Sequence, residues 1–397
     1  MTETALTAAP AATDALAVRA CVLREPGRPP EVESVWLGAP GPGEVLVRVA
    51  AAGVCHSDVH LADGALGEGR WPAVLGHEGA GVVTALGEGV TGVDEGDHVV
   101  FCLVASCGVC EACRSGRRTL CAPAGAEGVA GNLRTGARRL RAGDGSPLQH
   151  GFTIACFAEH TVVSAASIIP IPRDIPLWQA ALLGCGVITG FGAVTHAAGV
   201  RVGERVAVIG CGGVGLQVIA AARLAGAATI VAVDRRAEKL EHALRRGATH
   251  AVDASGHDAV GEIHRLTGGG ADHAFEVVGA APTIRLAWDA LRPGGTAVVV
   301  GLAPRGVEVS LPAIEFLSEK SIVGSYYGTG DPVAALPGLI ELVHAGRLEL
   351  ADMVSHLIDL EGVPDAMDRL RRGEGDRSVI VIDRSLAGAT AAEGDRP

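Results

Sequence analysis

A chain of 397 residues has room for two or three domains, each with a full hydrophobic core. Its net charge of −12, with no basic stripe, excludes nucleic acid and anionic membrane surfaces as expected partners. The start at Met1 carries neither a positive n-region nor an apolar run, so no signal peptide is expected. The ten cysteines then point to reduced thiols and metal ligation in the cytoplasm rather than to a disulfide framework.

In chain order, residues 1–17 are rich in Ala and Thr and residues 385–397 in Ala, Gly and Asp; both read as disordered tails. From about 18 to 100, short β-branched runs alternate with Gly/Pro turns, and strands are expected over 45–49, 79–85 and 97–100. Two motifs lie inside this region, Gly-Val-Cys-His-Ser-Asp-Val-His at 53–60 and Gly-His-Glu-Gly-Ala-Gly at 76–81. A lone Cys or His in such a place is usually a packing or surface residue. Together, Cys55 and His77 supply two of the three ligands of a catalytic zinc site, whose fourth position stays open. The third ligand has to come from further along the chain.

Cys107, Cys110, Cys113 and Cys121 follow with C-x2-C-x2-C-x7-C spacing. Four thiolates close a tetrahedral zinc site and leave no place for water or substrate, so this site is expected to be structural. An iron–sulfur cluster and two local disulfides are the alternatives, the latter disfavoured sterically by the short separations. Residues 122–150 are polar, rich in Gly and Arg and without periodicity, and are expected to form a long surface loop bordering a cleft. A strand is expected over 157–163 and an extended joint over 170–176. Cys185, within Leu-Gly-Cys-Gly-Val-Ile-Thr-Gly at 183–190, opens a helical stretch and is the candidate third zinc ligand.

The stretch 205–239 organises the remainder. A β-branched run at 206–209 leads into Gly210, Gly212 and Gly215 in G-x-G-x-x-G spacing, with Gly213 and Val214 between them. A helix over 216–224 and a strand over 229–233 ending at Asp234 come next. The first glycine permits the tight turn, the second lets backbone approach a pyrophosphate, and the third lets helix pack on strand. The helix N-terminus then faces the phosphates. Asp234 stands where a carboxylate accepts hydrogen bonds from ribose hydroxyls and repels a 2′-phosphate, which favours NAD; Arg235 and Arg236 beside it are the features that could admit NADP. A glycine-rich linker would lack the flanking apolar strands, and a membrane span over 206–222 is excluded by four glycines and Gln217. Helices over 236–246, 258–267 and 282–292 alternate with strands over 250–253, 272–278 and 296–300, which specifies a parallel doubly wound sheet. Strands over 307–311 and 321–326 are expected at its edge, followed by helix 336–345, strand 353–359, helix 363–371 and strand 378–383.

These motifs together resemble the zinc-dependent medium-chain alcohol dehydrogenases. The likeness spans residues 18–384 and includes Gly-Cys-Gly-Val-Ile-Thr-Gly at 184–190 and Arg377-Ser-Val-Ile near the end. It falls in the long-loop branch that holds alcohol dehydrogenases and glutathione-dependent formaldehyde dehydrogenases. The resemblance implies an α/β fold: a Rossmann domain over 186–325 inserted into a GroES-like, mainly β catalytic domain over 18–185 and 326–384. It implies Cys55, His77 and Cys185 as catalytic-zinc ligands, Glu78 as a carboxylate able to approach the metal, and Ser57 and His60 as a proton relay. His56 and Arg377 are implied as pyrophosphate contacts, Lys239 as a ribose contact, and Arg235 and Val300 as further cofactor neighbours.

The implied activity is reversible hydride transfer between NAD and a primary medium-chain or aromatic alcohol, with two zinc ions per chain. Oxidation of a thiol adduct of formaldehyde and a non-catalytic nucleotide-binding relative are the alternatives. Thiol-adduct enzymes carry an arginine shortly after the fourth lobe cysteine, whereas residues 122–125 read Ala-Pro-Ala-Gly and the next arginine is Arg134. Leu103 is expected to line an apolar substrate pocket. Zinc-free quinone or enone reductases of the same superfamily lack the ligands present here. The expected partners are a small-molecule alcohol or aldehyde and further copies of the chain, as a homodimer or homotetramer.

Overall fold

Small and β-branched residues fill positions 44–54, so both faces of an extended segment can be buried there, and they form the strand Glu44–Val54. Antiparallel to it run Glu78–Leu86, His160–Ser164 and Ser378–Val381, which makes it the spine of a seven-stranded sheet. The computed structural model describes residues 15–67, 69–256 and 258–389. They divide into two compact units, one of residues up to Cys185 together with those from Leu336 onward, the other Gly186–Ala335. The return crossing thus falls at 335/336, later than the 325/326 expected from the sequence.

Beside the spine sheet, the first unit holds a closed barrel of Leu16–Leu23, Glu31–Leu37, Leu140–Arg141, Pro147–His150 and Ala73–Val74. Val22, Val35, Leu37, Leu140 and Leu148 fill its interior. The expected long loop at 122–150 is therefore corrected: it contains the helix Ala122–Ala130 and the two strands that complete this barrel. Gly125 and Gly128 interrupt the apolar period of that helix, which is why it is not visible in the sequence; Gly131, at φ 69°, ends it in the left-handed region. Buried Glu44 ties the hairpin to the spine through Arg139 Nε at 2.7 Å.

Parts of both expected tails are structured. A strand begins at Leu16, and after Val381 the helix Arg384–Ala387 is capped by Asp383, whose side chain accepts from Ser385 N. The rest of the two expected tails, 1–14 and 390–397, lies outside the described residues.

The second unit is a six-stranded parallel sheet in the order His250–Asp253, Thr229–Asp234, Arg205–Ile209, Ala271–Glu276, Leu291–Val299, Ser321–Gly324. From Arg205–Ile209 the chain first builds outward through Thr229–Asp234 and His250–Asp253, then returns to the other side with Ala271–Glu276. The carboxyl ends of Arg205–Ile209 and Ala271–Glu276 thus flank the topological switch point, where ligands bind in open α/β sheets. Trp288, Leu291, Ile263 and Val252 anchor the core beneath. Residues 307–311 are not a strand, contrary to expectation: Ser321–Gly324 holds the edge of the sheet, and 307–311 has no ladder partner among the described residues. Period-2 alternation alone does not make a strand without a neighbour to accept its hydrogen bonds. No single helix among the described residues is long and apolar enough to cross a membrane.

Candidate functional site

The spine strand ends at Val54, and Cys55 caps the helix His56–Ala62 that follows. Asp58, in the first turn of that helix, accepts from Cys55 N at 3.2 Å and so fixes the direction in which the helix leaves the strand. Across the sheet, Gly53 pairs with Glu78, where a Cβ on the glycine would come within 2.6 Å of Glu78 Oε1. The missing side chain makes room for a carboxylate. Cys185 arrives from the short 3-10 helix Ala181–Gly184.

The result is a buried group of Cys55, His77, Glu78 and Cys185 whose ligand atoms all lie within 4.8 Å of one another. Cys185 Sγ is 3.4 Å from His77 Nε2. His77 Nδ1 lies 3.2 Å from Asp58 Oδ1, so the imidazole donates there and turns its Nε2 lone pair toward the sulfurs. Asp58 is fully buried and also accepts from Gly76 N at 3.2 Å. It sits inside the 53–60 motif, yet sequence reasoning assigns it no role. The spacing to His77, nineteen positions on, carries no pairing signal.

Hydrogen bonding from Cys185 holds the Cys55 thiol well below its ordinary range against the opposing effect of burial, with Arg377 and His77 adding to it. Burial pushes Glu78 up to about 7, opposed chiefly by Arg377. Both Glu78 carboxylate oxygens are buried without a hydrogen-bond partner. Two cysteine sulfurs, an oriented imidazole and a carboxylate without a hydrogen bond make a donor set that fits zinc: Cys55, His77 and Cys185 provide the three ligands of a catalytic site, with Glu78 beside them. Arg377, expected at a pyrophosphate, is buried beside this group, with Nη2 3.5 Å from Glu78 Oε2 and Nη1 donating to Val54 O at 3.3 Å.

Ser57 is half-buried, its Oγ 3.7 Å from Cys55 Sγ. His60 is half-buried on the same helix, its ring 5.1 Å from that of exposed His56. Burial lowers the pKa of His60, favouring the neutral, proton-accepting ring. The Phe152 ring packs 4.6 Å from that of His77, carried by backbone at φ 51°. Leu103 is half-buried against the same core, and its carbonyl accepts from Thr153 Oγ1 at 3.4 Å.

The four lobe cysteines form a second group with all ligand atoms within 4.8 Å. Cys107 N donates to Cys121 Sγ at 3.2 Å and Cys110 N to Cys107 Sγ at 3.3 Å. Backbone bonds of this kind stabilise thiolates, and those from Val109 and Cys110 bring Cys107 down to about 6. None of the ten cysteines is joined in a disulfide, and Cys107 and Cys113 stand with sulfurs 3.9 Å apart, well outside bonding distance. Cys110→Ser is expected to remove about one of two zinc ions per chain and to cost ~3 kcal/mol or more of stability. Metal analysis and thermal melting measure both, and an unchanged zinc content would remove the assignment.

In the second unit, the strand Arg205–Ile209 runs into Gly210 at φ 97°, and the helix Gly213–Leu224 starts directly after Gly212. The glycines play distinct parts. Gly210 takes the left-handed turn, Gly215 packs its Cα against Gly210 O too closely for any side chain, and a Cβ on Gly212 would meet nothing within 4 Å. The space beside Gly212 adjoins the first turn of the helix, where Gly213 and Val214 lie with N–H groups that have no partner within the helix. Asp234 closes the next strand and is braced by Cys211 N on Oδ2 at 2.9 Å and by Arg235 N and Arg236 N on Oδ1 at 2.8 and 3.1 Å. Arg235 points to solvent, Arg236 pairs with Glu238, and Lys239 is half-buried in the helix Ala237–Arg246. Val300 N donates to Glu276 O at 2.8 Å beyond the switch point.

A buried Cys/His/carboxylate metal set in one unit and a Rossmann phosphate cradle in the other define a zinc-dependent oxidoreductase. Residues 41–173 match the family model of the alcohol dehydrogenase GroES-like domain, and residues 213–345 match that of zinc-binding dehydrogenases. The chain is 38% identical over 365 residues to an S-(hydroxymethyl)glutathione dehydrogenase of Synechocystis sp., covering 91% of this chain and 99% of that protein. Among solved structures, an alcohol dehydrogenase zinc-binding domain protein of Burkholderia ambifaria superposes with TM-score 0.89 at 36% identity, over 94% of this chain and all 100% of that one. A benzyl alcohol dehydrogenase of Acinetobacter calcoaceticus superposes with TM-score 0.87 at 30% identity, over 93% and 100%. The chain belongs to the zinc-dependent medium-chain alcohol and formaldehyde dehydrogenase family.

Proposed function

We propose that this protein is an NAD-dependent alcohol dehydrogenase acting on primary aromatic or medium-chain alcohols and their aldehydes. The observation that carries the substrate class is the apolar character of the metal centre's surroundings. Phe152 packs on ligand His77, Leu103 lies in the same core, and the helix Ala122–Ala130 after the fourth lobe cysteine has no cationic residue. Such a wall suits an aromatic ring or an alkyl chain and offers no partner to a glutathione carboxylate. The benzyl alcohol dehydrogenase fold neighbour supports the same reading. The second reading, oxidation of a thiol adduct of formaldehyde, has the support of the relative named for that substrate.

Cys55, His77 and Cys185 would hold the zinc, which would supply Lewis-acid polarisation of the alcohol oxygen, while a bound NAD would supply the hydride acceptor. In this reading Asp58 keeps the His77 ring in its ligating orientation. Ser57 accepts the alcohol proton and passes it toward neutral His60, which releases it to solvent. Glu78, buried beside these ligands, would be the carboxylate available to the metal. Gly212, Gly213, Val214 and the helix N-terminus would hold the pyrophosphate, and Asp234 the adenosine ribose.

A homodimer or homotetramer is inferred from the sheet edge, where Ile314 and Leu317 are 72% and 80% exposed near the edge strand Ser321–Gly324. The deciding measurement of substrate class is NADH formation with benzyl alcohol, hexanol and formaldehyde, each with and without glutathione. Benzyl alcohol is expected to exceed the formaldehyde–glutathione mixture in kcat/KM by ~10-fold or more. Formaldehyde turnover that is both faster and strictly thiol-dependent would establish the second reading instead.

A further inference from the structure

Glu276 ends the strand Ala271–Glu276 at the switch point, in register with Ile209 on one side and Val299 on the other. Its side chain is fully buried. Oε1 accepts three hydrogen bonds, from Val278 N at 2.9 Å, Gly279 N at 2.7 Å and Thr283 Oγ1 at 2.7 Å. Its main-chain carbonyl accepts from Val300 N at 2.8 Å and Gly301 N at 3.0 Å. Oε2 is buried with no hydrogen-bond partner and would lie 2.7 Å from a Cβ placed on Gly301. One residue therefore holds both loops that leave the carboxyl ends of Ala271–Glu276 and Leu291–Val299.

Those loops reach the phosphate cradle. Val278 Cγ2 would stand 2.6 Å from a Cβ on Gly210, and Val277 Cγ2 3.2 Å from one on Gly215, so the loop after Glu276 closes directly on the glycine turn. A carboxylate buried in this way costs desolvation that an apolar side chain would not, and one of its oxygens recovers nothing for it. Stability alone does not call for an acid here. The braced carboxylate of Asp234 marks the adenosine side of the cradle, and the N-terminus of Gly213–Leu224 marks the pyrophosphate. A dinucleotide laid across the switch point must place its remaining half over the strand ends that Glu276 ties together.

We propose that the Glu276 side chain is a positioning residue for the nicotinamide half of the cofactor, acting through the loop at 277–279 that its carboxylate holds. The proposal rests on the reading of residues 186–335 as an NAD-binding unit. Its test compares NADH, titrated by fluorescence, with ADP-ribose, titrated by calorimetry, on the full chain. Glu276→Ala is expected to weaken NADH by about tenfold or more, the loss that goes with removing the acceptor shared by three donors of which Gly279 N is buried, and ADP-ribose by no more than about twofold. Glu276→Gln keeps an acceptor for those donors and is expected to restore NADH binding to within about threefold. Should Glu276→Ala not fold, Thr283→Val removes one donor to Oε1 and must show the same selective loss of NADH. Equal weakening of both ligands, or of neither, overturns the role of Glu276; a wild-type chain that binds neither ligand overturns the NAD reading itself.

Discussion

Changing Cys55 to alanine is expected to lower alcohol oxidation by ~10³-fold or more while NADH binding stays within about twofold of wild type. The first figure follows from the chemistry of the site. With the thiolate gone, His77 and Cys185 are the remaining soft donors beside Glu78, and a three-ligand site that polarises an alcohol becomes an incomplete one. The second follows from chain organisation: Cys55 belongs to the unit ending at Cys185, whereas Gly210 to Asp234 lie within Gly186–Ala335. Steady-state assays with benzyl alcohol read the first, and fluorescence titration of NADH reads the second. Loss of both together would mean that the cradle is not held by residues 186–335 alone. Zinc analysis of the same variant shows whether the catalytic metal leaves with the thiolate, and the variant should retain the lobe zinc held by Cys107, Cys110, Cys113 and Cys121.

Changing Asp234 to glycine is expected to shift the NAD-to-NADP preference in kcat/KM toward NADP by ~10²-fold. The carboxylate is not a loose surface charge. Three backbone N–H groups, from Cys211, Arg235 and Arg236, hold it at the end of Thr229–Asp234, so its negative charge stays fixed where the proposed reading puts the ribose. Under that reading, removal would cost the hydrogen bonds to the ribose hydroxyls and end the repulsion of a 2′-phosphate. Arg235, exposed beside it, can then act on the added charge. Asp234→Asn tests the division between these effects, since it removes the charge and keeps an acceptor for the backbone. An unchanged cofactor ratio in both variants would refute the assigned role of Asp234.

Much of this site is legible in the residues alone. Ligand sets with short spacing, such as Cys107 to Cys121 and Gly210 to Gly215, are visible because a few residues of backbone already bring the groups together. The helix Val363–Arg371 is likewise readable from its own amphipathic period. What escapes depends on distant partners. The helix Ala122–Ala130 is propped by what it packs against rather than by its glycine-containing period, and the strands Leu140–Arg141 and Pro147–His150 exist only because Glu31–Leu37 and Ala73–Val74 accept their hydrogen bonds. Residues 307–311 fail in the opposite sense, carrying strand character with no neighbour to pair with among the described residues.

The sequence by itself determined the donor chemistry: which thiolates, imidazole and carboxylate are available for zinc, and which glycines and acid make a dinucleotide cradle. Local spacing suffices for that, because ligand type and loop geometry are properties of a few consecutive residues. Only the tertiary structure decided that Asp58 orients His77, that Arg377 is buried against Glu78, and that Glu276 binds two loops at the switch point. Each of these is a hydrogen bond or ion pair across a sheet or a turn between positions that no period connects. Which partners meet, and how deeply they are buried, is set by how the strands are ordered in space.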